Sequence, residues 1–168
     1  RAEFQQDLSN SIEATLAAHK IDYMPGCADL GDFDATSTTM ALNPVQAEGA
    51  IPWAPVRRTF EKYWDFFEHR LSDSTWVDYT PYEVRNIGAL VRLGERERAN
   101  ALVSFFLADQ KPPGWRQWPE VVTRETRKPR FLGDLPHTWV ATDFIRSALD
   151  MLAYDREGDS TLVLAAGV

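Results

Sequence analysis

Apolar residues recur along most of this chain at the three- and four-residue intervals that bring them onto one face of a helix. Within residues 2–20, Phe4, Leu8, Ile12 and Leu16 make a fourfold stripe, with Asp7, Glu13 and Lys20 off it. A turn-rich stretch follows, from Tyr23-Met24-Pro25-Gly26 to Gly31. Asp34 then stands where it can cap a short helix, Ala35 to Leu42, by accepting its free N–H groups. That segment is rich in threonine, a weak helix former, so packing has to hold it. Asn43-Pro44 stops it, and a loop runs to Ala54. From Pro55 to Leu71 the stripe is Val56, Phe60, Trp64 (or Tyr63), Phe67 and Leu71.

The cleanest helix start is Thr80-Pro81-Tyr82-Glu83. Thr80 reads as the cap, Pro81 suits the first helical position, and Glu83 can reach back to complete a capping box. Val84, Ile87, Leu90 and Val91 line this helix, which ends at Gly94. Glu95 to Ala108 is its expected antiparallel partner, with Ala99, Leu102, Val103 and Phe106 inward. Residues 109–138 form a long, proline-punctuated connection, and loops of that length in folded domains are usually functional or disordered. Trp115, Trp118, Phe131 and Trp139, in and beside it, favour order. The last helix, about Thr138 to Tyr154, carries Val140, Phe144, Leu149 and Leu152. Thr161–Val168 has strand character. The pattern predicts an all-α chain of six helices in three hairpins, followed by the first strand of something further.

Composition changes this picture in a few places. Across 168 residues, 18 Lys and Arg against 25 Asp and Glu give a net charge of −7, the wrong sign for a phosphate-backbone binder. The basic cluster Arg124, Arg127, Lys128 and Arg130 is interrupted by Glu125 and reads as a solvated loop face. Cys27 is the single cysteine, so neither an internal disulfide nor a cysteine-based zinc cluster can form. Six Trp, five Tyr and nine Phe exceed what a core of this size needs. No apolar run reaches the ~18 residues of a membrane span, and no export leader is visible. A start at Arg1 and a stop inside an apolar run make both ends read as cut from a longer chain.

Candidate chemistry is sparse. Glu120 lies in Gly114-Trp115-Arg116-Gln117-Trp118-Pro119-Glu120. Tryptophans beside a carboxylate suit sugar chemistry, since an indole face stacks on a pyranose and the carboxylate can move protons at a glycosidic bond. The same residues also read as the start of a short helix with Glu120 at its third position. Asp29, Asp32 and Asp34 around Gly31 could bind sugar hydroxyls or a hard cation, or could be one cap and two solvated acids. His137, just before the last helix, is either a base or a structural hydrogen-bond donor. His19 and His69 have no assigned role. Nucleophile elbow, phosphate loop, dinucleotide fingerprint and His/Cys metal spacing are all absent from the sequence.

Taken in order, the Asp34–Leu42 run, Thr80-Pro81-Tyr82, the tight hairpin at Gly94, the Trp-x-x-Trp-Pro-Glu loop and the motif ending in His137 resemble one known arrangement. It is the C-terminal half of the (α/α)6 toroid of six-hairpin glycosidases, nearest to the α-L-rhamnosidases and related bacterial glycosidase-like proteins, some with coagulation-factor-type domains. The resemblance covers about residues 1–160 and implies that 161–168 opens a following β-sandwich. It implies Glu120 as the general base of an inverting hydrolysis and a sugar subsite lined by His137. Stacking walls would come from Trp115, Trp118 and Tyr82, with Asp34 facing the cavity. Ser37-Thr38 and Leu-Pro-His-Thr-Trp depart from the family's usual residues at two of these places. The general acid would lie in the other half of the toroid. The mechanism implied needs no cofactor and no metal. The partners implied are a carbohydrate and either the other half of the toroid or a second copy over the open edge, with no nucleic acid and no membrane. A non-catalytic carbohydrate-binding or scaffold domain on the same fold is the alternative.

Overall fold

Two of the helical starts, at Asp34 and at Thr80, fall where the sequence places a cap residue. In the computed structural model, which describes residues 2–73, 75–125 and 133–168, the chain is mainly helical with two small antiparallel sheets. Phe131, Arg127, Lys128 and Arg130 lie outside the described residues. Helix α1 covers Ala2–His19 and α2 Ala35–Thr38, which tightens into a 3-10 turn at Thr39–Ala41. Asp34 caps α2 by accepting from the Ser37 N–H at 3.0 Å and from the hydroxyls of Thr36 and Ser37. Helix α3 is Trp53–Ser72, starting two residues before the expected Pro55. Strand β1 (Asp78–Tyr79) leads to a 3-10 turn at Pro81–Val84 and then α4, Arg85–Arg92. Helix α5 is Arg96–Ala108, β2 is Val122–Thr123, α6 is Thr138–Leu152, and β3 (Ala153–Arg156) with β4 (Thr161–Leu164) closes the chain.

Helix α4 sits in the middle. Every residue from Asn86 to Val91 is buried, because α5, α6 and the α2 segment with its 3-10 turn pack around it. Phe60, Phe67, Phe106, Ile87, Leu90 and Leu102 are the largest side chains removed from water, and Phe105 joins Phe67 to Phe106 at ring separations of 5.2 and 5.3 Å. Three helical segments run side by side in one direction. At their starts Arg85 of α4 meets Asp143 of α6, and at their ends Arg92 meets Asp150. Asn43, just past the α2 segment, also donates to Asp150. Between these rungs Gly88 lets α4 approach closely: a Cβ there would stand 2.8 Å from Asp150 Oδ2 and 3.3 Å from Ser147 Oγ. Helix α5 returns antiparallel after the turn at Gly94.

Four expectations are corrected. The α1 stripe is not a core stripe, for none of its residues is buried and Phe4 is 70% exposed. Glu83 does not close a capping box. Its carboxylate accepts both Arg70 guanidinium nitrogens at 2.8 Å and the Tyr63 hydroxyl at 2.8 Å, a buried network worth more to it than a water-exposed N-cap amide. Thr80 nonetheless caps, accepting from Tyr82 N–H. On α6 the buried face is Val140, Asp143, Ser147 and Asp150, so polar residues point inward to meet the α4 arginines, and Leu149 and Leu152 are exposed. Lastly, Thr161–Leu164 already has a partner. It pairs antiparallel with Ala153–Arg156, so residues 153–154 are strand rather than helix and the hairpin spans the expected boundary at 160.

The long connection is anchored. Val122 and Thr123 pair with Asp78 and Tyr79, and both are buried. The His137 N–H donates to the Trp118 carbonyl at 2.9 Å and the Glu120 N–H to the Asp134 carbonyl at 3.3 Å, tying the loop's two ends together. No helix of the described residues is long and apolar enough to cross a membrane.

Candidate functional site

His137 reaches its position because Trp118 fixes its backbone and α6 begins directly after it. Its ring is 11% exposed. Nε2 is 2.5 Å from the Tyr82 hydroxyl, and the two rings meet edge-on at 5.3 Å. Nδ1 is shut off from solvent. Asp134 Oδ1 lies 2.9 Å from it, near enough to pair in charge but without the direction of a proper N–H···O bond. Glu120 completes the cluster: ligand atoms of Glu120, Asp134 and His137 all fall within 4.8 Å of one another. Gly133, with φ +63°, lies directly against the Glu120 side chain, and any Cβ there would collide with it.

The electrostatics follow from this closeness. The Tyr82 phenol is pushed above its ordinary value first by burial and then by the negative charge of Glu120, with Arg85 opposing from 4.8 Å over the ring. The His137 ring nitrogen 2.9 Å away holds Asp134 below the usual carboxylate value. Among the described residues these three are the one group of His, Cys, Asp and Glu with metal-like spacing.

The residues proposed from sequence divide. Glu120, His137 and Tyr82 come together. Glu120 is not in a helix, which disposes of the short-helix reading of its segment. Trp118 is corrected from stacking wall to core: it is 4% exposed, its indole N–H donates to the Phe106 carbonyl at 3.1 Å, and its ring packs on Phe144 at 5.1 Å. No face is left for a sugar. Trp115 is 61% exposed and has a free surface. The Asp34 carboxylate is occupied as the α2 cap: burial works against its charge, but the bonds from Ser37 and Thr36 prevail and hold it below its ordinary value. Asp29 and Asp32 are exposed, and Asp32 accepts from the Cys27 N–H. His19 bonds to the Ala28 carbonyl and His69 pairs with Asp73, local roles both.

Asp134 and Gly133 were not singled out beforehand. The signal was present in Gly133-Asp134-Leu135-Pro136-His137, where an acid stands three residues before a histidine that opens a helix. A pocket of about 480 Å³ lies elsewhere, between Leu42, Trp53, Arg92 and Tyr154 at the other end of the parallel helices. Its two arginines are already paired, Arg92 with Asp150 and Arg156 with Asp159, and it lacks the histidine–carboxylate grouping found around His137. No protein-family model, curated protein or solved structure matches this chain.

Proposed function

We propose that this chain is the C-terminal half of an (α/α)6 glycoside hydrolase-like toroid, with Glu120 as general base of an inverting hydrolysis. One observation carries the reading. Glu120, His137 and Tyr82, drawn from two distant stretches of sequence, converge at the shared starting end of α4 and α6, which run parallel. Alternation of a fully buried helix with half-exposed neighbours agrees with inner and outer rings of a toroid. Glu120 would activate water, His137 and Tyr82 would hold sugar hydroxyls, and Trp115 offers the remaining stacking face. Leu149, Leu152, Ile145 and Trp139 lie exposed along α6, an open edge that the other half of the toroid or a second copy would cover.

The general acid is assigned outside this chain. An inverting pair needs carboxyls about 6.5–9.5 Å apart to admit water. Asp134 is too close to Glu120, and Asp143, the other acid whose charge reaches Tyr82, is locked to Arg85 at 2.6 Å. The same fact favours the second reading, a non-catalytic carbohydrate-binding domain. A glycoside panel on the protein with its complete toroid separates them. Glu120→Gln is expected to lower kcat by about 10²–10⁴-fold. Full kcat in that variant removes Glu120 as base, and sugar binding without turnover on any glycoside selects the binding domain.

A further inference from the structure

We propose that Glu120, Asp134 and His137 form a binding site for a first-row divalent transition-metal cation, a property that goes beyond the glycoside reading and does not depend on it. The donor set is one imidazole nitrogen and two carboxylates. All-oxygen ligation suits calcium or magnesium, whereas imidazole added to carboxylate selects zinc, manganese and their neighbours. Around a cation about 2.0–2.2 Å from each ligand, donor atoms stand about 3.0–4.3 Å apart. Asp134 Oδ1 and His137 Nδ1, at 2.9 Å, are already at the short end of that range. Glu120, within 4.8 Å of both, needs only a small rotation of a half-exposed side chain.

Two further observations point to a ligand rather than to a self-contained acid–histidine pair. His137 Nδ1 is a buried polar atom without a well-directed hydrogen bond, its nearest neighbour being the Asp134 carboxylate at 2.9 Å, and a cation between the two would satisfy both. The opposite ring nitrogen, Nε2, is held by the Tyr82 hydroxyl, which orients the ring with Nδ1 facing Asp134, where a cation would take the place of the Nδ1 proton. Metal-binding histidines are typically held in this way by an outer partner on the other nitrogen. A bulky residue at Gly133 would push Glu120 out of the cluster, so the tight approach there serves the same geometry. A Glu120 whose negative charge is engaged by a cation is a weaker base, so metal binding and the base role compete for one carboxylate.

The test titrates zinc alone into the metal-stripped protein, without sugar, by calorimetry and by ¹⁵N NMR of the histidine rings. The expected result is one saturable equivalent, with the resonance of His137 Nδ1 moving while Nε2 keeps its Tyr82 bond. Asp134→Asn, at a side chain exposed enough to fold normally, and His137→Gln are expected to abolish the binding. Tyr82→Phe is expected to weaken it about 10- to 100-fold. Asp32→Asn, on the exposed acidic turn, leaves it unchanged. Absence of saturable binding overturns the proposal, and so does binding that survives Asp134→Asn or disappears with Asp32→Asn. Because no glycoside enters the experiment, its failure leaves the hydrolase reading standing, and the reverse also holds.

Discussion

Gly88→Ala tests the helix contact that everything else is built on. In an isolated helix the change would stabilise by about 1 kcal/mol, since alanine loses less backbone entropy than glycine. Here the new Cβ would stand 2.8 Å from Asp150 Oδ2, 3.3 Å from Ser147 Oγ and 3.4 Å from the Ser147 Cα. The Asp150 carboxylate cannot simply swing away. Arg92 holds both its oxygens at 2.9 and 3.0 Å, and Asn43 holds one at 2.9 Å. Either α4 and α6 separate, at the cost of about 1–3 kcal/mol usual for overpacking, or the buried pair opens, at about 3–5 kcal/mol. Less the helix gain, the net loss is about 0–2 kcal/mol by the first route and about 2–4 kcal/mol by the second. At about 2–4 °C per kcal/mol for a chain of this size, Tm falls by up to roughly 8 °C or by roughly 4–16 °C. Thermal unfolding followed by circular dichroism measures it. Gly158→Ala, where a Cβ meets nothing within 4 Å, serves as the control and should not move Tm. A Gly88→Ala Tm above that of the unsubstituted chain, as the helix gain alone would give, would refute the close approach and the ladder argued from it.

Two other expectations address the buried charges. Arg70→Met should cost about 3–5 kcal/mol in urea unfolding, because Glu83 would stay buried with only the Tyr63 hydroxyl, and the double change to Met at 70 and 83 should recover most of the loss; a loss under about 1 kcal/mol for the single change argues against that network. Asp34 titrates below its ordinary value of 3.8 in the folded chain, so the stability it contributes is complete above that value and is lost as pH falls through the lowered native one. Asp34→Asn, which still caps but does not titrate, should flatten that acid limb of the unfolding curve. An unchanged acid limb would mean the cap carries no charge-dependent stability.

Much of this fold is legible because helix caps and helix stripes are local. Asp34, Thr80 and Gly94 announce their turns by residue type, and the stripe of Phe60 and Phe67 or of Leu102 and Phe106 follows from spacing alone. What stays hidden depends on partners far along the chain. Nothing near Glu83 says that Arg70 will claim it, and nothing in α6 says that aspartates rather than leucines will turn inward, since the reason lies 58 residues away in α4. Trp118 shows the same limit. An indole in a polar loop looks available to a ligand until the Phe106 carbonyl and the Phe144 ring are known to meet it. At the site, Glu120 and His137 are readable as chemistry and Tyr82 enters only through the resemblance, whereas Asp134 acquires its meaning only once the loop's two ends are tied.

The ladder between α4 and α6 has a consequence for alignment. Its rungs pair residue 85 with 143 and 92 with 150, the same offset seven residues apart. Two greasy helices can slide by one turn at little loss, because one leucine resembles the next. These cannot: slipping α6 by four residues one way would face Arg92 with Arg146, and the other way would leave Arg85 opposite Ser147 and Arg92 opposite Tyr154. A slip of one turn is about 5.4 Å, enough to carry His137 out of reach of Tyr82 altogether. The buried charges thus act as a vernier, setting along both helices the position that Tyr82 and His137 at their starting end must keep.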